Sequence, residues 1–159
     1  MLSPIYRFGI GCKIFQLCLW VNICDFWRGN LYAVNVMIID DDDITLSLLK
    51  HILDGLVSGE VLVFSSSIKA QAFLLSHDAR RVNLVICDWQ MPNVSGIQIL
   101  ETLRSKMPNC PFFMITAKPT SELVLSAKRL EVTNFIAKPF VADDLIHKLS
   151  KLLEEISPV

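Results

Sequence analysis

From Asn35 onward, short apolar runs alternate with longer stretches in which apolar residues return every three or four positions. The runs are Val36–Ile39, Val61–Phe64, Leu84–Cys87, Phe112–Ile115 and Phe135–Ala137. None alternates strictly with polar residues, so each predicts a strand covered on both faces, as in a parallel sheet. The stretches between them predict helices. Ile44, Leu48, Leu49, Ile52 and Leu53 make the first apolar face, with Asp43 as N-cap and Gly55 as stop. Ile68, Ala72, Phe73 and Leu75 make the second, and Ile97, Leu100 and Leu103 the third, capped by Ser95 and followed by Pro108. Leu123, Val124, Ala127 and Leu130 follow a cap at Thr120 or Ser121. The last face is Leu145, Ile146, Leu149, Leu152, Leu153 and Ile156, with Asp143 and Asp144 in the first turn and Val141 as a poor cap. Strand and helix in alternation, with short connections, predict a doubly wound α/β domain: a five-stranded parallel sheet with five helices on its two faces.

The chain has 159 residues, one domain's worth. A net charge of -1 and the lack of a basic stripe give no reason to expect nucleic acid. Cys12, Cys18, Cys24, Cys87 and Cys110 form no C-x-x-C and no metal spacing with His51, His77 or His147. An odd count without a framework suggests free thiols in a reducing compartment. Residues 1–34 differ in composition, with Trp20, Trp27, both tyrosines and an apolar stretch from Ile14 to Ile23. That stretch is short for a membrane span and lacks a small-residue cleavage site behind it. Residues 1–34 therefore read as a disordered extension or a start-site artefact, with membrane contact only if they are present and amphipathic. The domain proper is placed at 35–157.

Polar chemistry stands at the C-terminal ends of four apolar runs. Asp40, Asp41, Asp42 and Asp43 follow the first, Asp88 the third, Thr116-Ala117 the fourth and Lys138-Pro139-Phe140 the fifth. In an open parallel sheet those ends share one crevice, where such folds place ligands. Carboxylates about 4 Å apart at an effective dielectric of about 20 repel by about 4 kcal/mol per pair. A proton or a cation must offset that, and oxygen donors without His or Cys favour Mg²⁺. Alone, the acidic run reads first as a helix-capping turn, Thr116 as a β-branched strand residue and Lys138 as a solvated charge. Together with Asp88 they are the parts of an aspartyl-phosphate site: a carboxylate nucleophile, neutralising cations and a hydroxyl that detects the added group.

The acidic pair Asp40-Asp41, the motif Asp88-x-x-Met91-Pro92-x-x-x-Gly96, Thr116-Ala117 and Lys138-Pro139-Phe140, in this order and each at a strand end, resemble the receiver domain of bacterial response regulators, chiefly the single-domain chemotaxis kind. The resemblance runs from about Asn35 to Ile156. It implies the flavodoxin-like fold with strand order 2-1-3-4-5 and makes Asp88 the phosphoacceptor. It also implies Mg²⁺ held by Asp41, Asp88 and the backbone carbonyl of Gln90, with Asp40 acting through a water. Thr116 takes the switch-hydroxyl role and Lys138 the role of the pairing amine, and Lys138-Pro139 is a candidate cis bond. Phe135 stands where the family's switch aromatic does, and the resemblance implies that it reshapes the surface of the last strand and last two helices on phosphorylation. Gln90 and Lys118 occupy positions that influence the attacking water and hence the lifetime of the phosphate.

The resemblance further implies a cytoplasmic protein that takes phosphate from a sensor histidine kinase or a histidine phosphotransfer protein. It would then pass the signal to a downstream protein target whose identity the residues do not give. The chain ends just after its last helix, which predicts output by contact with another protein and not through an attached DNA-binding domain. Two other readings stand beside this one. Asp41-x-Asp43-x-Thr45 superficially matches the D-x-D-x-T motif of haloacid-dehalogenase-type phosphatases, but leaves Asp88-x-x-Met91-Pro92 unexplained. A receiver that binds its partner without phosphorylation is the other.

Overall fold

A computed structural model describes residues 31–157. The segment 1–30, with its apolar stretch, lies outside the described residues. Five parallel strands form one sheet: β1 (Val36–Ile39), β2 (Val61–Phe64), β3 (Leu84–Asp88), β4 (Phe112–Thr116) and β5 (Asn134–Ala137), in the order β2-β1-β3-β4-β5. Five helices connect and follow them: α1 (Asp43–Asp54), α2 (Ser67–Leu75), α3 (Gly96–Lys106), α4 (Ser121–Arg129) and α5 (Ala142–Ile156). A short 3-10 turn, His77–Arg81, precedes β3; no apolar period marks it in the sequence.

Strand parity divides the core in two. Val36, Ile38, Leu84, Ile86, Phe113, Ile115 and Ile136 pack under α1 and α5. Met37, Ile39, Val85, Cys87, Phe112 and Met114 pack under α2, α3 and α4. Every residue of β1, β3 and β4 is buried, as strands covered on both faces require. The edge strands depart from that expectation: Val63 on β2 is exposed, and on β5 only Ile136 is buried. Each edge strand has a neighbour on one side only, so its cover is incomplete. The packing also takes in residues ahead of Asn35. Val34 is buried in the α1–α5 core, and Tyr32 bridges to Val57 in parallel.

The helix faces were only partly legible. On α1 the buried residues are Leu46, Leu49, Ile52 and Leu53, while Ile44 and Leu48 face solvent. Both lie two positions from Leu46, about 160° around the helix, on its opposite side. The N-cap is Asp42, one residue earlier than expected, whose carboxylate accepts from the backbone N–H groups of Ile44 and Thr45. On α2, apolar residues occur nearly all round, and the inner face is Ser67, Ala70 and Leu74. Ile68, Ala72 and Leu75 of the expected face are exposed and Phe73 is half-buried. Small side chains win the inward positions because α2 packs closely on α3 and the loop before it. Thr120 caps α4, and Ser95 caps α3 in a reciprocal box with Gln98. Val141 makes no side-chain cap bond.

Arg104 holds the far end of the α3–α4 layer. Its guanidinium donates to the carbonyls of Leu130 (3.0 Å), Cys110 (2.7 Å) and Glu131 (2.7 Å). Burial lowers the pKa of the guanidinium somewhat. Three charge-assisted bonds to carbonyls keep the end of α4 against α3.

Candidate functional site

Register brings the polar strand ends together. Ile39 is level with Cys87, and Asp88 with Ile115. Asp40, the next residue after Ile39, therefore stands level with Asp88. Thr116 is level with Ala137, one step further, and Lys138 follows it. All five candidate positions, 40, 41, 88, 116 and 138, lie on the C-terminal rim of the sheet.

Lys138 is the centre of the charge arrangement. Its Nζ is 2.7 Å from Asp40 Oδ2 and 3.1 Å from Asp88 Oδ1. Asp40 and Asp88 are both buried, Asp88 with 5% of its surface exposed, whereas Asp41 is exposed. Each carboxylate uses its second oxygen locally: Asp40 Oδ1 accepts from the backbone N–H of Asp42 at 3.0 Å, and Asp88 Oδ2 from that of Gln90 at 2.9 Å. Those bonds fix the carboxylates against their own loops. Lys138 is held by the backbone as well, its N–H donating to the Thr116 carbonyl at 2.7 Å. The Lys138–Pro139 peptide is cis, as the motif suggested.

Burial raises the pKa of Asp88 above the ordinary carboxylate value; the Lys138 ammonium opposes this and the Asp40 charge adds to it. Burial alone would lower the pKa of Lys138. The hydrogen bonds and charges of Asp40 and Asp88 outweigh it and leave the amine raised. One ammonium is thus shared between two carboxylates that would otherwise repel at close range.

Asp40, Asp41 and Asp88 each offer a carboxylate oxygen, and these oxygens lie within 4.8 Å of one another. Metal–oxygen bonds of about 2.0–2.1 Å place octahedral ligands about 2.9 Å apart when adjacent and about 4.2 Å apart when opposite. Carboxylate oxygens at this spacing could share one Mg²⁺, directly or through a bound water. The donor set, all hard oxygen, suits that ion.

Thr116 is fully buried, and its Oγ accepts from the backbone N–H of Lys118 at 3.2 Å. Its own O–H donates to no acceptor among the described residues. The strand carrying it turns Phe112 and Met114 toward the α2–α4 layer. Phe135, on neighbouring β5, is 40% exposed, so its ring lies outward. Beside the carboxylates opens a cleft of about 240 Å³ lined by Trp89, Gln90, Lys118, Thr120, Leu123 and Ser126. Gln90 and Lys118, far apart in the sequence, flank this one opening.

The threonine of the D-x-D-x-T spacing has a structural role, with Asp42 and neither motif aspartate as its partner. The Thr45 hydroxyl donates to Asp42 at 2.7 Å, completing the cap of α1. Hydrogen bonds from Thr45 and Ile44 lower the pKa of Asp42.

The loop from Trp89 to Ser95 was less legible. Asn93 adopts a left-handed backbone (φ 69°), a conformation Asn tolerates better than most residues. Gly96 is required for a steric reason the motif alone did not state. A Cβ there would fall against the Asp88 carbonyl oxygen, well inside contact distance, and 2.9 Å from the Cα of Trp89. Both are backbone and cannot swing away. Gly96→Ala is expected to cost about 2–3 kcal/mol in urea unfolding, the scale of forced overpacking. An unchanged midpoint would mean that the loop yields freely.

A profile of the response regulator receiver domain matches residues 36–150. Over 125 residues the chain is 29% identical to the chemotaxis protein CheY-3 of Vibrio cholerae, covering 77% of this chain and 94% of that protein. It is 27% identical to the CheY homolog of Campylobacter jejuni over 122 residues, covering 76% of this chain and 92% of that protein. The crystal structure of a CheY-like response regulator receiver domain protein from Methanospirillum hungatei shares the fold with a TM-score of 0.70 at 24% identity, over 77% of this chain and 95% of that one. The non-phosphorylated HemR receiver domain of Leptospira biflexa does so with a TM-score of 0.69 at 23% identity, over 79% and 98%.

Proposed function

This chain belongs to the response regulator receiver domain family, the signalling modules of two-component systems, and from that premise we propose that it is switched by phosphorylation of Asp88. The observation that supports this most is the shared ammonium: Lys138 Nζ lies within 3.1 Å of both Asp40 and Asp88 at the rim of the sheet. A structural ion pair needs one carboxylate. Two buried acids around one amine, with a third at the surface, leave negative charge to be neutralised by a metal.

The donor in this reading is a phosphohistidine of a sensor kinase or phosphotransfer protein. A carboxylate oxygen of Asp88 bonds to phosphorus as the phosphorus–nitrogen bond breaks, and the departing nitrogen keeps the electron pair, so the ring leaves as neutral imidazole with its proton on the other nitrogen. Asp41, Asp88 and the Gln90 carbonyl would hold Mg²⁺, with Asp40 acting through a water. When bound, the ion supplies positive charge to the oxygens of the transferring group. Lys138 pairs with the same group and leaves its present partners to do so. Thr116 donates its free hydroxyl to a phosphoryl oxygen. Phe135 then moves inward from its exposed position, altering the surface of α4, β5 and α5 that a downstream protein reads. Gln90 and Lys118 set the access of water and so the lifetime of the acyl phosphate.

Among the described residues no helix is long and apolar enough to cross a membrane. The family places the module in the cytoplasm in this reading, and a net charge of -1 supplies no electrostatic footprint for nucleic acid.

Acetyl phosphate with Mg²⁺ tests the reading against that of a phosphatase. The protein is expected to label itself close to one-to-one, releasing one acetate per label formed and further acetate only as fast as the label decays. EDTA should abolish labelling, and Asp41→Asn should raise the Mg²⁺ needed for half-maximal labelling about tenfold or more. Sustained turnover of a small phosphate ester without a labelled protein would contradict it.

A further inference from the structure

The loop that presents the Gln90 carbonyl is pinned from outside by one buried hydroxyl. Ser67, in the first turn of α2, is 5% exposed. Its Oγ–H donates to the Pro92 carbonyl at 2.7 Å, and the same Oγ accepts from the Val94 N–H at 3.3 Å. Pro92 and Val94 flank Asn93, the left-handed residue at the loop apex, and the Pro92 carbonyl also receives the Val94 N–H at 2.9 Å. The loop's other ties are the Trp89 N–H to the Ile115 carbonyl of β4 at its start, Gln90 N–H to Asp88, Gly96 N–H to the Trp89 carbonyl, and the Ser95–Gln98 box. Among the described residues, Ser67 is the only side chain of another helix that hydrogen-bonds to the loop.

We propose that Ser67 is a positioning residue for the cation site, acting through the loop and touching no ligand of the ion. The proposal rests on the Mg²⁺ reading given above. A carbonyl on an irregular loop contributes to binding only if its position is fixed beforehand; otherwise ordering the loop is charged against affinity. Ser67 uses both its donor and its acceptor on the two residues around the apex, and so fixes the loop where its own bonds leave it free. Partners that orient metal ligands carry about 10–100-fold in affinity. With a backbone ligand held at one remove, the lower end applies to Ser67.

Mg²⁺ binding by the full chain, measured by calorimetry, tests this with wild type, Ser67→Ala, Gln71→Ala and Asp41→Asn. Gln71 lies on the same helix and donates to Thr102 at 3.0 Å, so its loss loosens α2 against α3 but leaves the loop tie intact. Ser67→Ala should weaken Mg²⁺ binding about tenfold. Gln71→Ala should lower the melting midpoint without changing the dissociation constant. In wild type, Mg²⁺ should slow hydrogen exchange at the Val94 amide, a readout that stands even if Ser67→Ala folds poorly. Equal Mg²⁺ affinity in Ser67→Ala and wild type, or Val94 exchange indifferent to Mg²⁺, would overturn the proposal. Failure of the wild type to bind Mg²⁺, or binding unaffected by Asp41→Asn, would instead overturn the cation site on which it rests.

Discussion

Lys138→Met should cut the rate of phosphorylation by about 10²–10³-fold, the usual cost of removing a placed charge that meets developing negative charge. The folded protein should show the loss as well, before any phosphate arrives. Asp40 Oδ2 and Asp88 Oδ1 now share one ammonium, at 2.7 and 3.1 Å. Without it two buried carboxylates face one another. The rim is partly wetted and the penalty screened, so destabilisation of about 1–3 kcal/mol is expected, below that of breaking a fully buried pair. Two conditions should relieve it. Mg²⁺ replaces the missing charge, so the deficit in the unfolding midpoint should shrink as Mg²⁺ is added. Acid should do the same. Asp88 is already raised by burial and loses the lowering influence of Lys138, so its folded pKa moves further above its unfolded value. The folded state then binds the extra proton, and stability falls as pH rises from the unfolded to the folded pKa. The deficit is therefore largest above that window and smallest below it. A variant with wild-type stability at neutral pH without Mg²⁺ would mean that Lys138 neutralises nothing in the resting protein.

The architecture was legible from local pattern because the three central strands are buried on both faces, which leaves an unbroken apolar run for each. The site was legible for a related reason: parallel strands put their C-terminal ends on one rim, so residues far apart in sequence could be gathered by register alone. What the pattern could not give was rotation and edge. Ile44 and Leu48 look like core on composition, yet Leu46 starts the buried face because α1 begins from a cap at Asp42. On α2 the apolar residues surround the helix, and closeness of packing selects Ser67 and Ala70 over the larger Ile68 and Leu75. The same closeness brings the Ser67 hydroxyl to the Pro92 carbonyl. A serine run after a strand signals only a helix start, and the tie depends on a loop 25 residues away in sequence. Gly96 was visible as a motif letter, but the backbone contact that forbids a side chain there is a fact of three dimensions.

Asp88→Asn carries the largest effect of all, because amide nitrogen and oxygen supply no carboxylate nucleophile while the shape of the side chain is kept. The buried site should survive it: Asn can still accept from the Gln90 N–H, and the Asp40–Lys138 pair remains. Lost labelling in a folded variant therefore reports on chemistry and not on collapse of the rim. The direct measurement is intact mass after incubation of the full chain with acetyl phosphate and Mg²⁺, wild type beside Asp88→Asn, followed by peptide mapping. The expected result is one added phosphoryl group on wild type, mapped to the peptide containing residue 88 and absent in EDTA, with none on the variant. A label that persists in Asp88→Asn, or maps to another peptide in wild type, would contradict the account.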